Sequence, residues 1–278
     1  MDTSLQTITL LTVVLTLAVV GLATAVVIRQ RTVARRRGIP EDAILPLRDL
    51  PAFVVLPQIT AQAIESDRPL LLSTGAATIG GESTLVTLAG LDLAQYAASQ
   101  VAVGQTPPIF MTSETAVLPL GYDTLRRAYQ TRGLPNRARL ASSRWYAAGE
   151  RSLVFAAMLT VTLQNDQVSG NIFVGRFGAE LALALAAGQR KGVRSIAGSD
   201  DLTGQAVAYA MADGALIGED LFAAGGYLGD RASQRAALMA QDVLRWAVII
   251  VIVAVAITEV SGGRLAELLA PLLNRIGG

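Results

Sequence analysis

The sequence predicts an α/β protein with a doubly wound, mostly parallel sheet of Rossmann-like or flavodoxin-like order, flanked by an N-terminal and a C-terminal transmembrane helix. Strand-like and helix-like segments alternate between residues 51 and 229. Two apolar segments bracket this region, and a cluster of arginines follows the first of them. Such alternation favours right-handed βαβ units and a parallel sheet that is covered on both faces.

The alternating segments can be followed in order along the chain, after a short amphipathic stretch at residues 53–64. Strands are predicted at residues 70–72, 108–111, 144–148, 171–174 and 193–197. Helices are predicted between them, at residues 84–103, 118–133, 153–163, 181–189 and 202–212. Apolar residues at helical spacing identify these helices, and Gly133 is a typical helix C-terminus.

The chain is expected to contain five parts. These are an N-terminal transmembrane helix (1–28), a basic linker with prolines (29–50), an α/β domain (51–229), a helix that continues into a second span (230–260) and an amphipathic C-terminal helix (261–278).

The first apolar segment, residues 8–28, has no charged residue and is long enough to cross a hydrocarbon core of about 30 Å. Five arginines follow it: Arg29, Arg31, Arg35, Arg36 and Arg37. By the positive-inside rule, this end of the span is cytoplasmic. Ala23-Thr24-Ala25 resembles a signal-peptide cleavage site, but a positive n-region is missing and the arginines lie on the opposite side of the apolar segment.

The second apolar segment is shorter and is centred on residues 246–258. Arg245 and Trp246 at its start and Glu259 at its end suit the headgroup region of a membrane. A buried core helix is the alternative for so short a segment. With two spans, both termini lie outside and the α/β domain lies in the cytoplasm.

The composition excludes several classes of site. The chain has no cysteine and no histidine, so disulfides, Cys or His zinc sites and Ser-His-Asp triads are excluded. The only lysine, Lys191, lies in a segment that is typical of a helix C-terminus, where the helix dipole favours a cation. The net charge is only +1, which argues against a nucleic-acid partner. No metal, cofactor or catalytic residue is predicted.

An acidic residue follows a small residue at the end of nearly every predicted strand. In a parallel sheet these positions share one edge, the edge at which open α/β folds bind ligands. The ligand hypothesis takes Glu114, Glu150 and Glu180 as candidates for a cation or divalent metal. The alternative is that each acid caps the helix that follows and complements its dipole.

The loop between residues 73 and 84 is the best single candidate for a binding element. It follows a strand, precedes a helix and contains Gly75, Gly80 and Gly81, which could turn backbone amides toward an anion. It lacks the lysine of a P-loop, and Glu82 would repel an anion. Arg176, in a second strand-to-helix turn, could bind a phosphate or carboxylate.

Small residues also suggest contacts between helices. Gly21 and Ala25 form a small-xxx-small face in the first span. Leucines at helical spacing within residues 265–276 predict an amphipathic helix that lies on the membrane or on a partner. Either arrangement suits a membrane-bound homo-oligomer or complex, although an unpartnered surface anchor is the alternative.

Four segments resemble a family of bacterial membrane proteins that carries a domain of unknown function, found in filamentous green bacteria and their relatives. These segments are residues 68–70, residues 80–91, residues 216–225 and residues 241–246. The resemblance covers most of residues 50–258. It implies a bacterial inner-membrane protein with a span, a domain and a second span, but it brings no activity and no catalytic residues.

Three functions remain open. The first is a non-enzymatic scaffold or assembly subunit of a membrane complex that associates with itself or another protein. The second is a sensor that binds a small metabolite or nucleotide at the carboxyl edge of the sheet. The third is an enzyme that uses carboxylates, with or without Mg²⁺.

Overall fold

The computed structural model describes residues 49–228 without a break, together with fifteen isolated residues near the two ends. All fifteen are helical: Gly21, Ala25, Ile28, Arg29, Thr32, Val33, Arg36, Leu238, Asp242, Arg245, Trp246, Val248, Ile249, Ile252 and Val253. The chain divides into two compact units, one formed by residues 47–229 and the other by the two terminal segments.

Among the described residues, no helix is both long and apolar enough to cross a lipid bilayer. The predicted spans at residues 8–28 and 246–258 lie mostly outside the described residues, as do Arg31, Arg35 and Arg37. The described flanking residues Arg29, Arg36, Arg245 and Trp246 are exposed, and so are Gly21 and Ala25. The two flanking transmembrane helices therefore stay a prediction.

The α/β unit has six strands and seven α-helices among its described residues. The strands are β1 (Leu70–Gly75), β2 (Ile109–Thr112), β3 (Ser143–Trp145), β4 (Gly170–Arg176), β5 (Arg194–Ser199) and β6 (Gly214–Leu216). The helices are α1 (Pro51–Ser66), α2 (Thr84–Val101), α3 (Leu118–Thr131), α4 (Leu153–Asn165), α5 (Leu181–Arg190), α6 (Leu202–Met211) and α7 (Ala224–Leu228). Short 3-10 turns follow α3, β3 and β6.

The six strands form one sheet in the order β3-β2-β1-β4-β5-β6, and every neighbouring pair is parallel. This is the strand order of the Rossmann fold, and it differs from the flavodoxin order. The sequence prediction of a doubly wound, parallel α/β domain is thus confirmed, and the structure selects between its two versions.

Helices cover both faces of the sheet, and each face has its own apolar core. Alternate residues of β1 point to opposite faces, so that Leu70 and Leu72 join the core with α1, α2 and α3, whereas Leu71 joins the core with α4 and α5. In β1 and β2 every residue is buried. Strands buried on both faces read as continuous apolar runs, which is why they are visible in the sequence.

The start of α1 packs against the β6 end of the sheet. Pro51 occupies the first helical turn, where its missing N–H costs no hydrogen bond. A Cβ added to Gly214 would lie 2.6 Å from the Cα of Ala52, so only glycine permits this approach. The chain therefore enters the α/β unit beside β6, one of the two edge strands.

The observed elements differ from the predicted ones mainly where strands are short. Strand β3 has three residues where the sequence predicted residues 144–148. Strand β6, with the sequence Gly-Ala-Leu, was not predicted. Three residues are too few to establish a two-residue period, so pairing with a neighbouring strand determines both elements.

Candidate functional site

The strand order reverses between β1 and β4, and their two carboxyl ends are joined by backbone contacts. The N–H of Ala76 donates to the carbonyl oxygen of Arg176 over 2.9 Å. Gly75 has a φ of 62°, and a Cβ there would lie 2.3 Å from that same oxygen. Rossmann folds bind ligands at such a switch point. In this protein the carboxyl ends of β1 and β4 are in direct backbone contact at the switch point.

The glycine-rich loop directs its amides toward its own hydroxyl groups. The N–H of Thr78 donates to Ser83 Oγ over 3.0 Å, and the N–H groups of Gly80 and Gly81 donate to Thr84 Oγ1 over 2.9 and 3.1 Å. The amides of Gly80 and Gly81 are two of those that the sequence offered to an anion. In this conformation Ser83 and Thr84, which sequence reasoning did not select as site residues, accept the hydrogen bonds of all three amides. Hydroxyl residues at a helix start are the signal that could have identified them.

Arg176 lies between two carboxylates. Its Nε is 3.2 Å from Asp200 Oδ2, and its Nη2 is 4.0 Å from Glu82 Oε2. The side chain of Arg176 is 43% exposed, whereas that of Asp200 is 21% exposed and that of Glu82 is 94% exposed. The structure thus brings Glu82 and Arg176, both selected from the sequence, together with Asp200. The three side chains carry a net charge of −1, which disfavours an anion beside Arg176.

The three candidate acids do not form one group. Glu114 follows β2, Glu150 follows β3 and Glu180 follows β4, and β1 lies between the last of these strands and the other two. At about 4.8 Å per strand, β3 and β4 are about 14 Å apart. Within the described part of the chain, no three acidic side chains are grouped closely enough to hold a metal ion.

Two acids at the sheet edge accept backbone hydrogen bonds near the starts of helices. Glu180 Oε1 accepts from the N–H of Gly178 over 2.7 Å. Asp201 Oδ1 accepts from the N–H groups of Gly204 and Thr203, at 3.2 and 2.8 Å, and caps α6. The hydrogen bond from Gly204 is the largest of several that lower the pKa of Asp201. Capping, the structural alternative, accounts for Asp201, whereas the Glu180 carboxylate makes no cap hydrogen bond to α5 and bonds instead to the turn before it.

These features define a class: an α/β protein of Rossmann strand order whose strand-end loops are hydrogen-bonded within themselves and to each other. The chain belongs to the family described as a domain of unknown function, DUF6754, whose model matches residues 4–268. The resemblance to a family of unknown function is thereby confirmed, while the membrane layout and the bacterial source stay predictions. No curated protein and no solved structure matches the chain significantly.

Proposed function

We propose that this protein is a membrane-anchored scaffold or assembly subunit without enzymatic activity, which associates with copies of itself or with another membrane complex. A span at each end holds the α/β unit at the cytoplasmic face of the bacterial inner membrane. Its partners therefore include the lipid bilayer.

The observation that carries this proposal is the closeness of the two points at which the α/β unit connects to the rest of the chain. Phe53, in the first turn of α1, stacks on Tyr227 at the end of α7, with 4.6 Å between the ring centroids. Packed antiparallel helices lie about 8–10 Å apart, so neighbouring connections suit a pair of adjacent spans. The arginines that follow the first apolar segment support a cytoplasmic domain.

The hydrogen bonds at the sheet edge support a non-enzymatic role. Thr84 accepts hydrogen bonds from the loop amides, Asp200 pairs with Arg176, Glu180 accepts a hydrogen bond from the turn before α5, and Asp201 caps α6. Each of these groups therefore already has a structural task. A scaffold needs such a rigid edge, whereas a catalytic site would use these groups on a substrate.

Single-cysteine labelling tests the topology, because the chain has no cysteine of its own. Three variants of the full chain each carry one thiol: Ser4→Cys before the first span, Thr203→Cys in the α/β unit and Gly277→Cys after the second span. In bacterial spheroplasts, we expect a membrane-impermeant maleimide to label positions 4 and 277 and to reach position 203 only after lysis. Labelling of position 203 in intact spheroplasts would contradict the cytoplasmic placement.

The self-association part of the proposal has its own test. The mass of the full chain in detergent micelles or lipid nanodiscs, measured over a range of concentrations, should exceed that of one 29.1 kDa chain. A strictly monomeric particle would contradict self-association and leave the topology result untouched.

The strand order favours a second candidate, a sensor of a small anionic metabolite or nucleotide at the β1–β4 switch point. Binding there requires Arg176 to leave Asp200 and turn to the ligand. NAD and ATP are suitable probes: a rise in the melting temperature that disappears in Arg176→Gln would support the sensor. An unchanged melting temperature with both nucleotides would oppose a nucleotide ligand.

A further inference from the structure

Three helices lie side by side on one face of the sheet. Helix α5 packs against α4 on one side and against α6 on the other. The inner sides of all three contribute to the apolar core that contains Leu71, with Phe155 from α4, Leu185 from α5 and Ala208 from α6. The outward-facing residues of α4, α5 and α6 therefore share one surface, which we call the α4–α6 layer.

Every helix of the layer exposes large apolar side chains. The most exposed are Leu202 (82%) and Tyr209 (79%), both in α6. Four more are 41–51% exposed: Leu153, Val154 and Val161 in α4 and Leu183 in α5. In α6 the exposed residues Leu202, Ala206 and Tyr209 recur at i, i+4 and i+7, so they lie along one side of that helix.

The layer carries almost no charge. Arg190, at the end of α5, is the only charged residue in its three helices. By contrast, α1, α2 and α3 on the other face of the sheet include five: Glu65, Asp92, Asp123, Arg126 and Arg127. A surface helix normally has charged or polar residues on the side that faces water, whereas a helix that is apolar all round is usually covered on all sides. The composition of α4 and α6 is closer to that of covered helices.

Charged residues of both signs lie at the ends of the three helices. They occupy the turns before and after them: Glu150, Arg151, Glu180, Lys191, Asp201 and Asp213. An apolar centre with a polar rim is the usual arrangement of a protein interface.

The area of the layer is close to that of one side of a stable interface. Packed helices lie about 8–10 Å apart, so three of them span about 30 Å. The helices have 10 to 13 residues, which at a rise of about 1.5 Å each give a length of about 15–20 Å. The projected area is therefore about 500 Å², and the accessible surface of the side chains is larger than this projection. A stable interface buries about 800 Å² on each partner.

A second copy of this chain fits the layer better than a lipid surface or an unrelated protein. Two copies related by a two-fold axis present the same surface to each other, which is favourable only where like charges do not meet. The layer satisfies this condition, and interfaces between identical chains are also more apolar than others. A helix that lies on lipid headgroups has Lys and Arg beside its apolar side, but α4 and α6 contain neither.

We propose that the α4–α6 layer is the surface through which two copies of this protein associate, with Leu183, Leu202 and Tyr209 buried between them. The inference deepens the proposed self-association and rests on it. Tyrosine is among the residues that contribute most to binding when an interface buries them, so Tyr209 is the expected anchor of the contact.

The double variant Leu183→Glu with Leu202→Glu tests the surface in the full chain. Both residues lie in the first turn of their helices, where the dipole stabilises a carboxylate, so the fold of the single chain should be preserved. In the dimer, however, carboxylates of both copies would meet in an apolar interface. The mass in dodecyl maltoside, followed over a dilution series, should show that the Kd of the dimer rises about hundredfold.

The matched control is Leu85→Glu with Leu88→Glu. These two leucines lie near the start of α2, on the other face of the sheet, and are 68% and 48% exposed, compared with 82% and 49% for Leu202 and Leu183. The control should change the Kd less than about twofold.

Cross-linking at single cysteines tests direct contact, since the chain has no cysteine of its own. Ala206→Cys lies in α6 between Leu202 and Tyr209, and Ala61→Cys lies in α1 on the other face; both alanines are exposed. In bacterial cells that produce the full chain, a membrane-permeant bismaleimide should join two Ala206→Cys chains and leave Ala61→Cys chains single.

An unchanged Kd in Leu183→Glu with Leu202→Glu, or equal weakening in the control pair, would overturn this proposal, while the dimer of the wild-type chain would still establish self-association. A cross-link from position 206 to a different protein would also overturn it. So would quenching of a bimane label at position 206 by doxyl-phosphatidylcholine in vesicles, because the layer would then face lipid. A monomeric wild-type chain would contradict both this inference and the proposed self-association.

Discussion

The ring of Phe53 lies nearly parallel to the ring of Tyr227, with 12° between the two planes. This contact joins the first turn of α1 to the last residues of α7. It therefore links two parts of the chain that are more than 170 residues apart in sequence. The stack closes the α/β unit at the place where the chain enters and leaves it.

Phe53→Leu and Tyr227→Leu should loosen this closure. An aromatic pair contributes about 0.5–1.5 kcal/mol beyond the area that it buries, so amides in α1 and α7 should exchange about fivefold faster in either variant. Hydrogen exchange followed by mass spectrometry on the full chain in detergent measures this change. Phe222→Leu, at a residue that is 50% exposed, is the control. Equal protection in all three variants would show that the stack does not stabilise the connection.

Gly90→Ala should destabilise the α/β unit strongly, because α2 lies almost against the backbone of β4. A Cβ at position 90 would be 2.2 Å from the carbonyl oxygen of Val174, which is below any real contact distance. We expect a loss of about 3 kcal/mol, measured by thermal or urea unfolding. Gly81→Ala is the matched control, since nothing lies within 4 Å of its added Cβ. A stable Gly90→Ala protein would mean that α2 is free to move away from the sheet.

Asn171→Val should stabilise the protein. Asn171 is fully buried in β4 beside Gly188, and neither its Oδ1 nor its Nδ2 has a hydrogen-bond partner in the structure. A buried polar group without a partner costs about 1–3 kcal/mol, and valine is favoured in strands. A rise in the melting temperature is expected. A fall would show that the amide has a partner in solution, such as a buried water molecule.

Asp201→Asn should reduce the pH dependence of stability at acidic pH. Because hydrogen bonds from Gly204 and Thr203 lower the pKa of Asp201 in the folded state, the charged cap stabilises the protein above the unfolded pKa of about 3.9. That stabilisation is lost as the pH falls through the folded pKa. Asparagine keeps an acceptor but does not titrate, so its melting temperature should fall less between neutral pH and about pH 3. Parallel curves for the two proteins would contradict this.

The long elements were predictable from local patterns. The predicted starts of α2, α3, α4, α5 and α6 coincide with the observed ones, because apolar residues at helical spacing follow clear turns. Strands β1 and β4 were predicted but extend further, to Gly75 and Arg176. Their last residues are glycine, hydroxyl and arginine residues, which are buried or half-buried because neighbouring strands pair with them and not because they are apolar.

The positions of Glu82 and Arg176 in the fold were predictable from the sequence, but their contacts were not. The rule that parallel strands end at one edge placed Glu82 and Arg176 in the same region. The partners of these residues depend on how each loop folds. Thr84 accepts hydrogen bonds from Gly80 and Gly81, and Asp200 is paired with Arg176. Both contacts depend on turn geometry, which residue spacing does not specify.

The sequence by itself determined the α/β class, the positions of the main helices and the absence of cysteine and histidine chemistry, because these depend on composition and short-range periodicity. Only the tertiary structure decided the strand order, the contact between Phe53 and Tyr227 and the pairing of Arg176, because each requires residues that are distant in sequence to meet.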